Sequence, residues 1–180
     1  GVDRSWSERE FVKMCEKAVE AGQPEIRNVM ELCRFQGLRI HEVTRLDRAT
    51  AEKALRSGVL HVKGKGGLER NVPLRPEGRS ALVEAMQRVN RGEKLFVPEG
   101  TKTHEVIKSC QNFITVNRDD IQSANREVNL HIHGLRHTYA KEEYQVRINQ
   151  GIPKEQAKKE ISELLGHHRA EITNIYLGGK

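Results

Sequence analysis

Leu164-Leu165-Gly166-His167-His168-Arg169-Ala170-Glu171-Ile172-Thr173-Asn174-Ile175-Tyr176 is the stretch on which the reading of this chain turns. It sets a Leu-Gly-His motif nine residues ahead of a tyrosine. Pro153 can open a helix that Gly166 stops, and Glu171 to Leu177 has the composition of one more short helix. Taken alone, Tyr176 reads as a core-edge aromatic beside Ile172, Ile175 and Leu177. Its meaning depends on the residues that precede it.

Upstream stands His133-Gly134-Leu135-Arg136, at the head of a helical pattern running to Gln150, and far ahead of it an isolated Gly37-Leu38-Arg39. A phosphodiester carries two anionic non-bridging oxygens, and attack on phosphorus adds charge that fixed cations must neutralise. Guanidiniums suit that task, because each stays charged and donates parallel hydrogen bonds, so Arg39 and Arg136 are the candidates. Tyr176 is the candidate nucleophile, and His133 can accept or position its proton. The leaving 5′-oxygen needs a proton in return. Lys65, between Gly64 and Gly66, is placed to give it from a flexible turn, with Lys63 as the fallback. Each residue also has a plainer reading: solvated arginines, a buried tyrosine, and a lysine turn that touches only DNA backbone.

That lysine turn, Lys63-Gly64-Lys65-Gly66-Gly67, joins two short β-prone runs, Val59 to Val62 and Arg70 to Leu74, which predicts a two-stranded ribbon. Everything else follows the helical period. Ser7 to Glu10 fits a capping box ahead of Phe11, Val12, Cys15, Ala18 and Val19, until Gly22. Pro24 heads a second helix, a short third begins near Ile40, and others cover Pro76 to Val89 and Thr103 to Val116. A further polar helix is expected from Asp119 to Glu127. The class is mainly α with a small antiparallel β-sheet (α+β).

The 180 residues suit one domain, 1–180, and show no internal repeat, low-complexity stretch or linker. Mean hydropathy is −0.69, and no apolar run approaches the roughly 20 residues of a membrane span. With no secretory signal in Gly1 to Glu10, a cytoplasmic setting is expected and no membrane partner. Cys15, Cys33 and Cys110 form no Cys-x-x-Cys pair and read as small core residues. His131, His133, His137, His167 and His168 can be imagined around a metal, but no His-Glu-x-x-His, cysteine pair or matching carboxylate supports it. No metal and no cofactor are expected. The net charge of +6 is uneven: Arg34 to Arg79 holds eleven Lys or Arg against five Asp or Glu, which predicts one basic face.

Five pieces stand in one order: Gly37-Leu38-Arg39-Ile40-His41-Glu42, then Gly64-Lys65-Gly66-Gly67-Leu68-Glu69-Arg70-Asn71-Val72-Pro73-Leu74, then His133-Gly134-Leu135-Arg136-His137-Thr138-Tyr139-Ala140, then Leu164-Leu165-Gly166-His167-His168, then Tyr176. Together they resemble the catalytic domain of the tyrosine recombinases, the phage-type integrase family, over nearly the whole chain. The resemblance implies the DNA breaking-rejoining enzyme fold and a site-specific recombinase that needs neither metal nor ATP. It makes Tyr176 the nucleophile of a 3′-phosphotyrosine intermediate, Arg39 and Arg136 the phosphate clamp, and Lys65 the acid. His133 becomes the proton acceptor, His167 a transition-state donor, and Glu42 a supporting residue behind the site, with Lys63 and Arg70 as DNA contacts.

The implied partners are double-stranded DNA, further copies of the protein as a tetramer on DNA, and accessory DNA-bending proteins. The long stretch between Arg136 and His167 resembles mobile-element integrases more than chromosome-dimer resolvases. On this resemblance the chain lacks the N-terminal core-binding domain. Two neighbouring readings stay open: a DNA-binding module with an unused site, and a type IB topoisomerase-like nicking and resealing activity. A metal-dependent hydrolase is the third, and a chelator would separate it.

Overall fold

The computed structural model describes residues 1–167 and 170–177. Ser7 Oγ accepts the Glu10 backbone N–H at 3.1 Å, and Glu10 Oε1 accepts that of Ser7 at 2.8 Å. Two otherwise orphaned donors are satisfied, and helix α1 (Glu8–Glu20) follows with Phe11, Met14, Cys15 and Ala18 buried. Pro24 opens α2 (Pro24–Gln36), which Gly37 ends in the left-handed region at φ 68°. A Cβ at Gly37 would sit 2.4 Å from Cδ1 of Tyr139, so only glycine allows this approach. The contact brings α3 (Ile40–Thr44), and Arg39 just before it, against the helix that carries Arg136.

Helix α4 (Arg48–Ser57) has no counterpart in the sequence reading. Its buried face is Ala51 and Ala54 alone, too small to register as an apolar period, while Asp47 caps it by accepting from Thr50 N at 2.8 Å. It lies on β1 (Val59–Lys63), which pairs antiparallel with β2 (Glu69–Pro73), Val62 opposite Arg70. A 3-10 turn, Lys65–Gly67, forms the tip. Leu60, Val62 and Val72 are the strands' buried face. Then come α5 (Pro76–Met86) and α6 (Thr103–Asn117).

The expected helix from Asp119 to Glu127 is absent; a 3-10 turn at Arg118–Asp120 leads into irregular turns. Glu10 is the reason. Its carboxylate accepts from Ser123 N at 2.8 Å and from Arg126 Nη1 at 2.9 Å, which pins the segment onto α1. Three helices complete the fold: α7 (His133–Asn149), α8 (Lys154–Leu165) and α9 (Ala170–Tyr176). Helix α2 is central, packed by α1, α5 and α7, while α8 touches both α7 and β2 and α9 rests on α7 and α8. The class is mainly α with a two-stranded antiparallel sheet, as expected.

The three cysteines are free and buried, and burial pushes the thiols of Cys15 and Cys110 up to about 12. Among the described residues no helix is long and apolar enough to cross a membrane. The basic quarter is less open than its composition implies: Arg34, Arg48, Arg70 and Arg75 all take carboxylate partners. Among the described residues the side chains of Lys53, Lys63 and Lys65 take none, and Lys53 and Lys63 line one groove beside the ribbon.

Candidate active site

The end of α2, the start of α3, the ribbon tip, the start of α7 and the turn after α8 converge on a cavity of 640 Å³. Arg39, Lys65, His133 and His167 line it. Arg136 lies behind this surface with its side chain fully buried. Its Nη1 donates to the Gly37 carbonyl at 2.8 Å and its Nη2 to the Leu165 carbonyl at 2.6 Å. Both carbonyls sit at helix ends, where the backbone lacks a partner of its own. Burial pushes the Arg136 guanidinium down to about 10, so it stays charged at neutral pH. Its Nε is buried and has no hydrogen-bond partner among the described residues.

Glu42 holds the two arginines in register from below. Its side chain is fully buried; Oε1 accepts the Arg39 backbone N–H at 2.8 Å, Arg39 Nη1 lies 3.5 Å from Oε2, and Arg136 Nη1 lies 3.9 Å from Oε1. Burial alone would raise this carboxyl, but the hydrogen bonds and charge of Arg70, the Arg39 backbone N–H and the charge of Arg136 together outweigh it and leave Glu42 below the usual carboxylate range. Arg70 therefore does not fit the DNA contact expected of it. Its Nη1 and Nη2 donate to the two Glu42 oxygens at 2.6 and 3.0 Å, its Nε donates to the Leu164 carbonyl at 2.8 Å, and the side chain is 8% exposed. All three guanidinium nitrogens are thus engaged with protein oxygens, although Arg70 borders the cavity.

Tyr176, on the last turn of α9, is 7% exposed, and its hydroxyl lies 2.8 Å from His133 Nε2. Its ring is crowded by His137 at 4.3 Å, His167 at 5.0 Å and the Arg136 guanidinium at 5.1 Å. Burial and the charges of Arg136 and Arg39 push His133 down to about 4, so at neutral pH its imidazole is uncharged and can accept the phenol proton. His167 is pushed down to about 3 for the same reasons in the same order. Its Nε2 lies 3.2 Å from Arg136 Nη2, and a guanidinium can only donate, so Nε2 is the acceptor. The proton then sits on Nδ1 and is donated to Thr173 Oγ1 at 3.2 Å.

The structure thus gathers Arg39, Glu42, Lys65, His133, Arg136, His167 and Tyr176 at one place. Lys65 alone among them stands on an exposed tip with no side-chain partner among the described residues. Lys63 is exposed and faces the neighbouring groove. Thr173, which orients His167, escaped the sequence reading, and His137, read there only as an imagined metal ligand, packs at a tilt on the Tyr176 ring. The only signal for Thr173 was its place one helical turn before Tyr176. Among the described residues no three His, Cys, Asp or Glu side chains are grouped to hold a metal ion, and His168 lies outside the described residues.

A tyrosine recombinase of Thermosipho africanus is 30% identical over 152 residues, 84% of this chain and 48% of that protein. The chain spans about half the length of the curated relatives it matches. Among solved structures, the Tn1549 transposon integrase in complex with a circular intermediate DNA superposes with a TM-score of 0.72 at 13% identity, covering 98% of this chain and 62% of that one. A lambda integrase tetramer bound to a Holliday junction gives 0.68 at 18%, covering 99% and 49%. At these identities the structures speak for the fold. Residues 7–179 match the family model described as the phage integrase family, and the chain belongs to that family.

Proposed function

We propose that residues 1–180 act as the catalytic domain of a site-specific DNA recombinase. The observation that carries this reading is the 2.8 Å contact between the Tyr176 hydroxyl and His133 Nε2, set beside the buried Arg136. A phenol, its proton acceptor and a fixed cation meet at one point, and the acceptor lines the cavity.

In the proposed reaction Tyr176 Oη attacks the scissile phosphorus while its proton passes to His133. Arg39 and Arg136 hold the non-bridging oxygens, where charge accumulates. The P–O5′ bond breaks, and Lys65 protonates the departing oxygen. The products are a 3′-phosphotyrosine and a free 5′-hydroxyl. Attack by another strand's 5′-hydroxyl reverses the steps, so rejoining needs neither ATP nor metal. His167 accepts from Arg136 in the free protein, so its role as a donor to phosphate requires that bond to open and a proton to move to Nε2.

The lysines of the ribbon and α4, Lys63 and Lys53, are proposed to track the DNA backbone beside the site. Integration or excision of a mobile element is the setting this reading favours, with double-stranded DNA as substrate, a tetramer as the working assembly and accessory DNA-bending proteins as helpers. The location proposed is the cytoplasm, on the nucleoid when DNA is bound.

The test is a pool of nicked duplexes with randomised sequence, incubated with the protein in EDTA and resolved under denaturing conditions. A protein–DNA adduct that Tyr176→Phe abolishes is expected. Its absence across the pool, or its survival in Tyr176→Phe, would overturn the reading, and loss of activity in EDTA would point to metal-dependent hydrolysis.

A further inference from the structure

We propose that Arg70 is a positioning residue: it fixes the Lys65 tip against the phosphate clamp, so that protonation of the leaving group depends on an ion pair outside the cavity's chemistry. The proposal rests on reading the site as a DNA strand-transfer centre.

A two-stranded ribbon of five-residue strands is marginal without tertiary anchors. Its apolar face is held by Leu60, Val62 and Val72, contacts that set how deep the strands lie but leave the tilt of the tip open. Arg70 supplies a directional anchor. One rigid plane leaves β2 and meets α3 through both Glu42 oxygens and the end of α8 through the Leu164 carbonyl.

The same node reaches the clamp and the His167 turn, because Glu42 also accepts the Arg39 backbone N–H. Crowding at the node agrees. A Cβ on Gly64, just before Lys65, would lie 3.1 Å from Glu42 Oε2, and one on Gly166, just before His167, would lie 3.1 Å from Arg70 Nη1. Both turns therefore pass close to the ion pair, with glycine at each point of approach. Lys65 itself has no side-chain partner among the described residues, so its approach to a phosphate is set by the ribbon that carries it.

The test separates the leaving group from the clamp. A duplex selected from the adduct pool is made with an ordinary 5′-oxygen and with a 5′-bridging sulfur, whose thiolate departs without a proton. Arg70→Lys keeps the charge but cannot reach both carboxylate oxygens and the Leu164 carbonyl from one ammonium. It should cleave the oxygen substrate roughly 10²-fold slower than the parent protein, the scale of a lost general acid. On sulfur it should return to within about threefold of the parent, as Lys65→Ala should.

Equal slowing on both substrates would overturn the proposal, and so would a normal rate at saturation with weakened DNA binding. If the parent protein forms no adduct on either substrate, the failure is that of the strand-transfer reading instead. Should Arg70→Lys melt below the assay temperature, the assay is run below that melt, and Arg70→Gln, which leaves the Glu42 carboxylate in place against Arg39 and Arg136, is scored by the same oxygen-to-sulfur ratio. No sulfur rescue there would likewise sink the proposal.

Discussion

In the proposed reaction the clamp and the ribbon tip are opposite solutions to one demand, that of meeting a phosphate with positive charge. Arg136 is fully buried and bound to two helix-end carbonyls before any substrate arrives. Lys65 is exposed on a glycine-rich turn. The difference teaches where rigidity is useful. Transition-state charge is best met by dipoles and cations already oriented, whereas a proton donor must admit the DNA and then close on it.

The largest effect that tests this contrast is Arg136→Ala. It should lower strand cleavage on the order of 10³-fold and also cost about 3–5 kcal/mol of stability, because Glu42 and two carbonyls lose a buried cation. Single-turnover cleavage and thermal melts read the two losses. Lys65→Ala should slow cleavage by roughly 10²–10⁴-fold yet leave stability within about 0.5 kcal/mol, as at other exposed sites. A substantial drop in melting temperature for Lys65→Ala would break the comparison.

Glu42→Gln should destabilise the fold by about 2 kcal/mol at neutral pH, since several charge-assisted bonds weaken together. The sign with pH follows from linkage. The Glu42 carboxyl is held below its ordinary 4.5 in the fold, so its contribution is present above that value and fades as pH falls through the lower, folded one. The gap between parent and variant should therefore narrow in acid, which denaturant titrations at several pH values would show. The smallest effect concerns the imidazoles: nuclear magnetic resonance should find His133 and His137 titrating near 4 in the free protein, against an ordinary 6.5. A DNA phosphate in the clamp should move His133 upward by offsetting Arg39 and Arg136.

Local chemistry was the legible part of the sequence. Ser7 with Glu10, Pro24, Pro76 and the glycines of the ribbon turn each act within a few residues, and the elements they predict are present. Helix α4 was missed because alanines bury little and leave no apolar stripe. The helix expected after Asp119 was overruled by a carboxylate more than a hundred residues away in sequence, at Glu10.

The site divides the same way. The order of its motifs is visible in the chain, and Arg39, His133, Arg136, His167 and Tyr176 lie near one another in the fold. What Arg70 binds is not visible, since its partners Glu42 and Leu164 are fixed by tertiary contact rather than by spacing. An arginine in a basic stretch reads as a DNA contact until its carboxylate is found. The same correction thins the expected basic face, where Arg34, Arg48 and Arg75 are also paired.

Trp6 is the only tryptophan in the chain, and it is buried against the start of α7. Its indole N–H donates to the His131 carbonyl and its backbone N–H to Thr138 Oγ1, both at 2.9 Å. Two residues beyond His131 lies the imidazole that meets Tyr176. The chain thus carries its own optical probe beside the helix start that holds His133 against Tyr176: one fluorophore, without competing tryptophan emission from these 180 residues, whose spectrum should shift if that helix start moves on the proposed binding of DNA.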